Sequence, residues 1–381
     1  MRLSLLSAAL VAALVGYGST IALVLAAAAA LGATEAQTAS WVLAICLGKA
    51  VGSAFLSWRS RVPVILAWST PGAALVAATE GITMPEAVGA FLLAGLLIAL
   101  TGALKPLGRA VALIPDGIAG GTLAGVLLPF CLKLAGAAEA LPLLVLPAIA
   151  VFALVRLWNP ALAVLAALAG GSALAFAGEA AMPELPLALP ALTFIRPAFD
   201  PTVLIGLGLP LYLVTMASQN LPGFAVLRAA GYEPPVRSAL TVTGGLSALT
   251  APFGAHTVSM AAITAAICLG DEVHPDRSRR WIVGLVYAAV WVGLGLFGPA
   301  ILACIAALPP ALVTALVGLA LLGPLTGALT AAFAHPEQRF AAVVTLAVTG
   351  SGVAMAGIGA AFWGLLAGLA VHVTERAARR R

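Results

Sequence analysis

Charge is too scarce in this chain for a water-soluble fold. Charged side chains make up 9% of the 381 residues and hydrophobic ones 62%, with a mean hydropathy of +1.11. Soluble domains carry roughly a quarter charged residues. A membrane-crossing helix needs about 20 apolar residues, so about fourteen of them would consume most of the chain. Short loops remain, with no room for an extramembrane catalytic domain. The 40 glycines and 25 prolines suit this reading, since both are commoner in membrane helices than in soluble ones. The apolar stretch from Ala8 to Ala30 is too long for a secretory signal and more spans follow at once, so it reads as a first helix. Cys46, Cys131, Cys268 and Cys304 lie in apolar segments without C-x-x-C spacing and read as free buried thiols. The net charge of +5 comes from scattered loop residues, which excludes nucleic acid as a partner.

Hydropathy places spans near 8–31, 37–57, 62–79, 84–104, 110–131, 140–155, 158–177, 201–224, 236–250, 253–269, 281–305, 308–332, 340–356 and 358–374. With the N-terminus in the cytoplasm, the inner loops and tails then hold all of the 19 basic residues except three. Lys133 and Arg196 fall outside and Lys49 lies within a span. The outer loops take Glu35, Glu80, Glu86, Glu139, Glu179, Glu184 and Asp200. Short loops obey such a positive-inside bias, and one span more or fewer would scramble every loop after it. The expected architecture is an all-α polytopic membrane protein of 14 transmembrane spans, both termini cytoplasmic.

The proline-rich stretch from Gly178 to Pro201 divides these spans into two sets of seven. An odd number per half makes the second half enter from the opposite face, giving two inverted repeats, a common transporter plan. Ile114-Pro115-Asp116-Gly117-Ile118 opens span five and Leu308-Pro309-Pro310-Ala311-Leu312 opens span twelve, its counterpart. Spans three and ten are interrupted. Val62 to Trp68 is a β-favouring run that meets Ser69-Thr70-Pro71-Gly72, and a hydroxyl residue before proline starts a helix well. Thr250-Ala251-Pro252-Phe253-Gly254-Ala255-His256-Thr257 has the same design. Each should be a short extended stretch plus a half-helix, tolerated in a membrane only where protein or a watery cavity covers the backbone. Ordinary proline kinks are the plainer alternative.

Two half-helix starts would aim free N–H groups and positive dipole ends at one volume, which is an anion site. Tyr17, Ser19 and Thr20 of span one could reach it, as could Ser218, Gln219 and Asn220 of span eight and His256 and Thr257 of span ten. None is acidic. Phe253, Leu221 and Trp68 could enclose an organic body, so a small hydrophobic anion fits better than a cation, a sugar or sulfate. Tyr17 could instead serve packing, and Ser19, Thr20 and Ser218 could bond back to their own helices. His256 titrates near neutrality in water, and a protonated imidazole would tighten carboxylate binding, which couples a proton to the anion. A neutral capping histidine is the competing reading. Lys49 and Asp116 are further intramembrane charges and secondary candidates. No His/Asp/Glu cluster has metal-ligand spacing within a span, so neither a metal, a cofactor nor an enzyme is expected.

Ser218-Gln219-Asn220-Leu221-Pro222-Gly223-Phe224-Ala225-Val226-Leu227-Arg228 and Pro252-Phe253-Gly254-Ala255-His256-Thr257 resemble the bacterial benzoate:proton symporter family, as does Gly16-Tyr17-Gly18-Ser19-Thr20. The resemblance implies the fold of uracil- and sulfate-type transporters. Residues 1–105 and 201–306 would then form a core (spans 1–4 and 8–11), and 106–178 and 307–381 a gate (spans 5–7 and 12–14), joined by an inter-repeat loop at 179–200. It also implies substrate between spans three and ten, with the core moving elevator-like against the gate. Nucleobase-carrying relatives place glutamates where this chain has Ser218-Gln219-Asn220 and Gly254-Ala255-His256, a departure that argues against nucleobases. The expected activity is import of benzoate or a close aromatic carboxylate with a proton, across a bacterial inner membrane. The carboxylate would sit against the amides following Thr70 and Gly254, with Asn220 and Gln219 as hydrogen-bond partners and Ser69, Gly72 and Ala255 also in the substrate site. A nucleobase or other organic-anion carrier on the same fold, or a channel-like conductor, remains open, as does homodimerisation through the gate.

Overall fold

The computed structural model describes residues 3–18, 20–104, 115–160, 162–178, 182–185, 189–261, 263–271, 273–353, 355–356 and 358–379. The first half runs α1 (Leu3–Gly18), α2 (Ile21–Ala30), α3 (Glu35–Ser60), β1 (Leu66–Trp68), α4 (Thr70–Ala77), α5 (Met84–Ala103), α6 (Asp116–Ala140), α7 (Pro142–Trp158) and α8 (Ala163–Ala177). The second runs α9 (Pro201–Ala229), α10 (Val236–Thr250), β2 (Val258–Met260), α11 (Ile263–Ile267), α12 (Ile282–Leu296), α13 (Gly298–Ala306), α14 (Pro310–Phe333), α15 (Arg339–Gly350) and α16 (Ala360–Arg379). Among the described residues, seven helical segments are long and apolar enough to cross a membrane, and α7 and α8 are shorter apolar helices. Arg2, Ser19, Lys105, Arg109, Ile114, Glu179, Arg380 and Arg381 lie outside the described residues.

Local chemistry sets the helix ends. Thr34 and Gln37 close a reciprocal capping box that starts α3, Thr34 Oγ1 accepting from Gln37 N–H at 3.2 Å and Gln37 Oε1 from Thr34 N–H at 2.9 Å. Helices α6 and α14 begin directly after Pro115 and Pro309, whose extended backbone stops any earlier turn. In α9 two π-helical turns, Leu204–Gly208 and Met216–Asn220, precede Pro210 and Pro222 by the same interval. Each proline lacks an N–H and crowds the carbonyl four residues back, so the turn before it widens.

The two strands meet at the centre of the molecule as an antiparallel pair, in the register Leu66↔Met260, Ala67↔Ser259 and Trp68↔Val258. Around them α3 packs on α12, α5 on α10, and α6 on α14 and α15. Two corrections to the sequence reading appear here. The stretch 281–305 is not one helix, because it turns at Phe297 between α12 and α13. Within 253–269 no helix starts at Gly254. That residue closes a 3₁₀ turn in the left-handed conformation (φ 91°), an extended segment follows, and the next helix is α11 at Ile263. Proline and glycine there build a tight corner, which is turn chemistry and not a helix cap.

Gly244 lets α10 approach α5 closely, since a Cβ there would strike the backbone of Ala99 and Gly95. Gly244→Val should force the pair apart at a cost of about 1–3 kcal/mol or more, read as a lower Tm of the purified protein in detergent. An unchanged Tm would contradict the packing.

Candidate functional site

A two-stranded ribbon leaves its outer backbone groups unpaired by the partner strand. Side chains from four helices meet several of these instead. On the β1 side, Ser53 Oγ of α3 accepts from Leu66 N–H at 3.0 Å and Tyr287 of α12 donates to Leu66 O at 2.9 Å. On the β2 side, Ser247 Oγ of α10 accepts from Val258 N–H at 2.8 Å and Asn220 Oδ1 of α9 accepts from Met260 N–H at 2.9 Å. Beyond the strands the pairing continues, Ser69 N–H donating to Thr257 O at 3.0 Å and Ala261 N–H to Ile65 O at 2.9 Å. The ribbon is thereby a fixed platform at which α4 begins.

The start of α4 is closed upon itself. Ser69 caps it, its Oγ accepting from Gly72 N–H at 3.1 Å, while its carbonyl takes the Ala73 N–H at 2.8 Å. Pro71 has no N–H. Of the amides following Thr70, none of these three is therefore free to meet a ligand, and the Thr70 N–H is the remaining first-turn donor. A hydroxyl chain joins the two halves here: Thr215 of α9 donates to Ser69 Oγ at 3.0 Å and shares a 2.8 Å bond with Thr257 Oγ1. Both threonines and Ser69 are fully buried. His256 sits beside them, also fully buried. The Trp41 indole N–H donates to Nδ1 at 3.0 Å and Nε2 bonds the Ser69 carbonyl at 3.2 Å. That network assigns the ring's single proton to Nε2.

The other candidates divide. Thr20 bonds back to Gly16 O at 2.7 Å and also accepts the Trp68 indole N–H. Tyr17 is buried against Trp68 and Trp291, and its hydroxyl has no hydrogen-bond partner among the described residues. Ser218 bonds back to Val214 O, the plainer role expected for it. Asn220 is buried holding β2, whereas Gln219 is half-buried in the same π turn, and such turns gather at functional sites. Phe253 turns away from α4, stacking edge-on with Phe194 of the inter-repeat segment while its carbonyl accepts from Ser40. Ala255 is buried in the corner after Gly254. Asp116 is exposed in the first turn of α6, where a carboxylate favours the helix dipole, and it stands apart from the ribbon.

Lys49 is the surprise of the site. It is 1% exposed on α3, with Nζ 3.7 Å from the Trp68 ring centroid and 2.9 Å from that of Trp291. Among the described residues no carboxylate lies within ion-pairing distance of it. Each cation–π contact returns about 0.5–2 kcal/mol, against several kcal/mol for stripping water from an ammonium. The sequence reading missed Thr215, Trp41, Tyr287 and Trp291. Thr215 stands three residues before Ser218 in an otherwise apolar run, which is a detectable signal; the aromatics look like ordinary apolar core.

Comparison with known proteins now has a geometry to meet. The family model described as "Benzoate membrane transport protein" matches residues 1–374. The chain belongs to the benzoate membrane transport family. Inner membrane protein YdcO of Escherichia coli (strain K12) is 40% identical over 370 residues, covering 97% of this chain and 95% of that one. The benzoate membrane transport protein of Acinetobacter baylyi (strain ATCC 33305 / BD413 / ADP1) is 34% identical over 372 residues, covering 97% and 94%. Among solved structures, the transmembrane domain of a cyanobacterium bicarbonate transporter, BicA, has a TM-score of 0.60 at 18% identity and covers 98% of both chains. The murine anion transporter Slc26a9 in its inward-facing state gives 0.62 at 13% identity, covering 100% of this chain and 69% of the other. Members of the benzoate membrane transport family are membrane transporters, and this chain shares the fold of both solved structures.

Asn220→Ala should strand the buried Met260 N–H at a cost of about 1–3 kcal/mol, whereas Asn220→Asp keeps an acceptor there. Thermal unfolding in detergent should rank wild type above the Asp variant and the Asp variant above Ala. Equal Tm for all three would remove Asn220 from its supporting role.

Proposed function

We propose that this protein carries benzoate or a closely related aromatic carboxylate into the cell together with a proton, as a secondary transporter of a bacterial inner membrane. The single observation behind this is the family match over residues 1–374 together with a buried central platform that, among the described residues, carries hydroxyls, an amide, an imidazole and a lysine but no carboxylate. An acid there would repel an anionic substrate. In this reading the chain crosses fourteen times with both ends in the cytoplasm, and its two halves are inverted repeats. The packing supports that, because α3 on α12 and α5 on α10 exchange into one another when each element is replaced by its counterpart in the other half. The same operation pairs β1 with β2 and α6 with α14. The assembly around the ribbon is the core, the α6–α14–α15–α16 group belongs to the gate, and the core moves elevator-like against it with substrate held beside Ser69, Thr70, Gln219 and Asn220.

His256 is the proposed proton carrier, taking its second proton at Nδ1. Trp41 occupies that nitrogen, so charging His256 requires the indole to let go. That observation also favours a second reading, in which a permanently neutral His256 braces the start of α4 and the coupling proton travels elsewhere.

Uptake of labelled benzoate into proteoliposomes decides the substrate. Excess benzoate should abolish it and excess uracil should not; the reverse would make the protein a nucleobase carrier. Accumulation against the gradient, saturating with substrate, is expected, and current without accumulation would instead indicate a conductor. His256→Ala should lose acceleration by an acid-outside gradient. Retention of that acceleration selects the bracing role.

A further inference from the structure

Around Lys49 the molecule gathers hydrogen-bond donors and does not use them all. The rings of Tyr17 (α1), Trp68 (β1), Tyr287 and Trp291 (α12) form one cluster with centroid spacings of 5.3–5.8 Å. Two of its polar groups are satisfied: Trp68 N–H by Thr20 and Tyr287 O–H by the Leu66 carbonyl. The buried Tyr17 hydroxyl has no hydrogen-bond partner among the described residues, while the Trp291 indole nitrogen lies against the Tyr287 hydroxyl. The ammonium of Lys49 lies over two of these rings with no acidic group beside it among the described residues. The other titratable groups near it are Cys46 one turn earlier on α3 and His256 from the corner before β2, with Tyr17 and Tyr287 in the ring cluster around Trp291. None of these is an anion in its ordinary form at neutral pH.

Such a cluster offers a lysine amine and a hydroxyl and, among the described residues, lacks an acidic acceptor for them. Its walls are flat and apolar. The geometry points to Lys49 and the Tyr17 hydroxyl as the binding point for the carboxylate of the transported anion, which would draw the lysine amine off the Trp68 and Trp291 faces it now covers and leave them to a planar apolar body. The ligand class is an aromatic monocarboxylate, recognised by its charge at one end and its ring at the other. The inference rests on the carboxylate reading of the preceding subsection and moves the charge recognition from the self-capped start of α4 to the lysine on α3. It also accounts for a lysine in a buried layer, where unpaired charges are rare and mark substrate paths. Trp68 and Tyr17 border both the lysine and the residues of span one that the sequence singles out, so the two regions are continuous.

The test uses the purified full-length protein and titrates it with benzoate and with benzamide, which has the same shape without the charge. Binding is followed by intrinsic tryptophan fluorescence and by calorimetry. Wild type should bind benzoate and discriminate against benzamide. Lys49→Met, which keeps the volume, should weaken benzoate at least about 30-fold and erase the discrimination, while Lys49→Arg should hold benzoate within about tenfold. Tyr17→Phe removes one oxygen and should weaken benzoate about three- to tenfold with benzamide unchanged. Wild-type affinity in a monodisperse Lys49→Met protein overturns the inference and leaves benzoate transport standing. Should Lys49→Met fail to fold, wild-type benzoate affinity in Tyr17→Phe overturns it equally. Failure of the unaltered protein to bind or take up benzoate would reject the transport reading itself.

Discussion

A short strand pair buried inside a membrane protein must satisfy every backbone group without water. That requirement organises the centre of this molecule. Leu66–Trp68 and Val258–Met260 pair with each other along their inner edges, and Ser53, Tyr287, Ser247 and Asn220 meet outer groups of Leu66, Val258 and Met260. Four helices are therefore held at fixed offsets by single hydrogen bonds to the same ribbon. Ser53 on α3 and Ser247 on α10 do the same task for β1 and β2 respectively. Small hydroxyl residues in these helices thus serve the backbone of a neighbouring element before they serve any ligand.

The polar centre that results is short of negative charge. His256 has both nitrogens engaged and Lys49 rests on aromatic faces, within electrostatic reach of each other. Two cations in one dry layer repel; at about 4 Å and an effective dielectric of about 20 such a pair costs roughly 4 kcal/mol. A second proton on His256 while Lys49 is charged calls for an anion between or beside them. Under the proposed function, proton and carboxylate would arrive more cheaply together than apart, which is how a coupled carrier would work here. Linkage of this kind is reciprocal, so each ligand strengthens the other by the same factor.

Much of the fold was legible because hydrophobicity and punctuation are local signals. The capping residue at Ser69 and the proline starts of α6 and α14 sit where the sequence puts them. The corner at Gly254 was misread, since proline followed by glycine can begin a helix or finish a turn, and the choice depends on φ at one residue. There a side chain would meet Met84 and Trp41, contacts far away in sequence. The site was legible in its polar members and opaque in its aromatic ones. Asn220 and His256 stand out against an apolar background; Trp41 and Trp291 do not, because a tryptophan that positions an imidazole and one that fills space are the same letter.

The pairing of Leu66 with Met260 brings together residues from the two halves of the chain. When the first half of the chain emerges from the ribosome, β1 has no strand to pair with and its edge groups remain open. Long-range strand pairing is slow for this reason, and open edges invite wrong partners. Biogenesis must therefore shelter the early segment until β2 follows, so the centre of the protein is among the last parts to become native. A truncated or stalled chain would carry most of the helices of its first half and none of the finished platform.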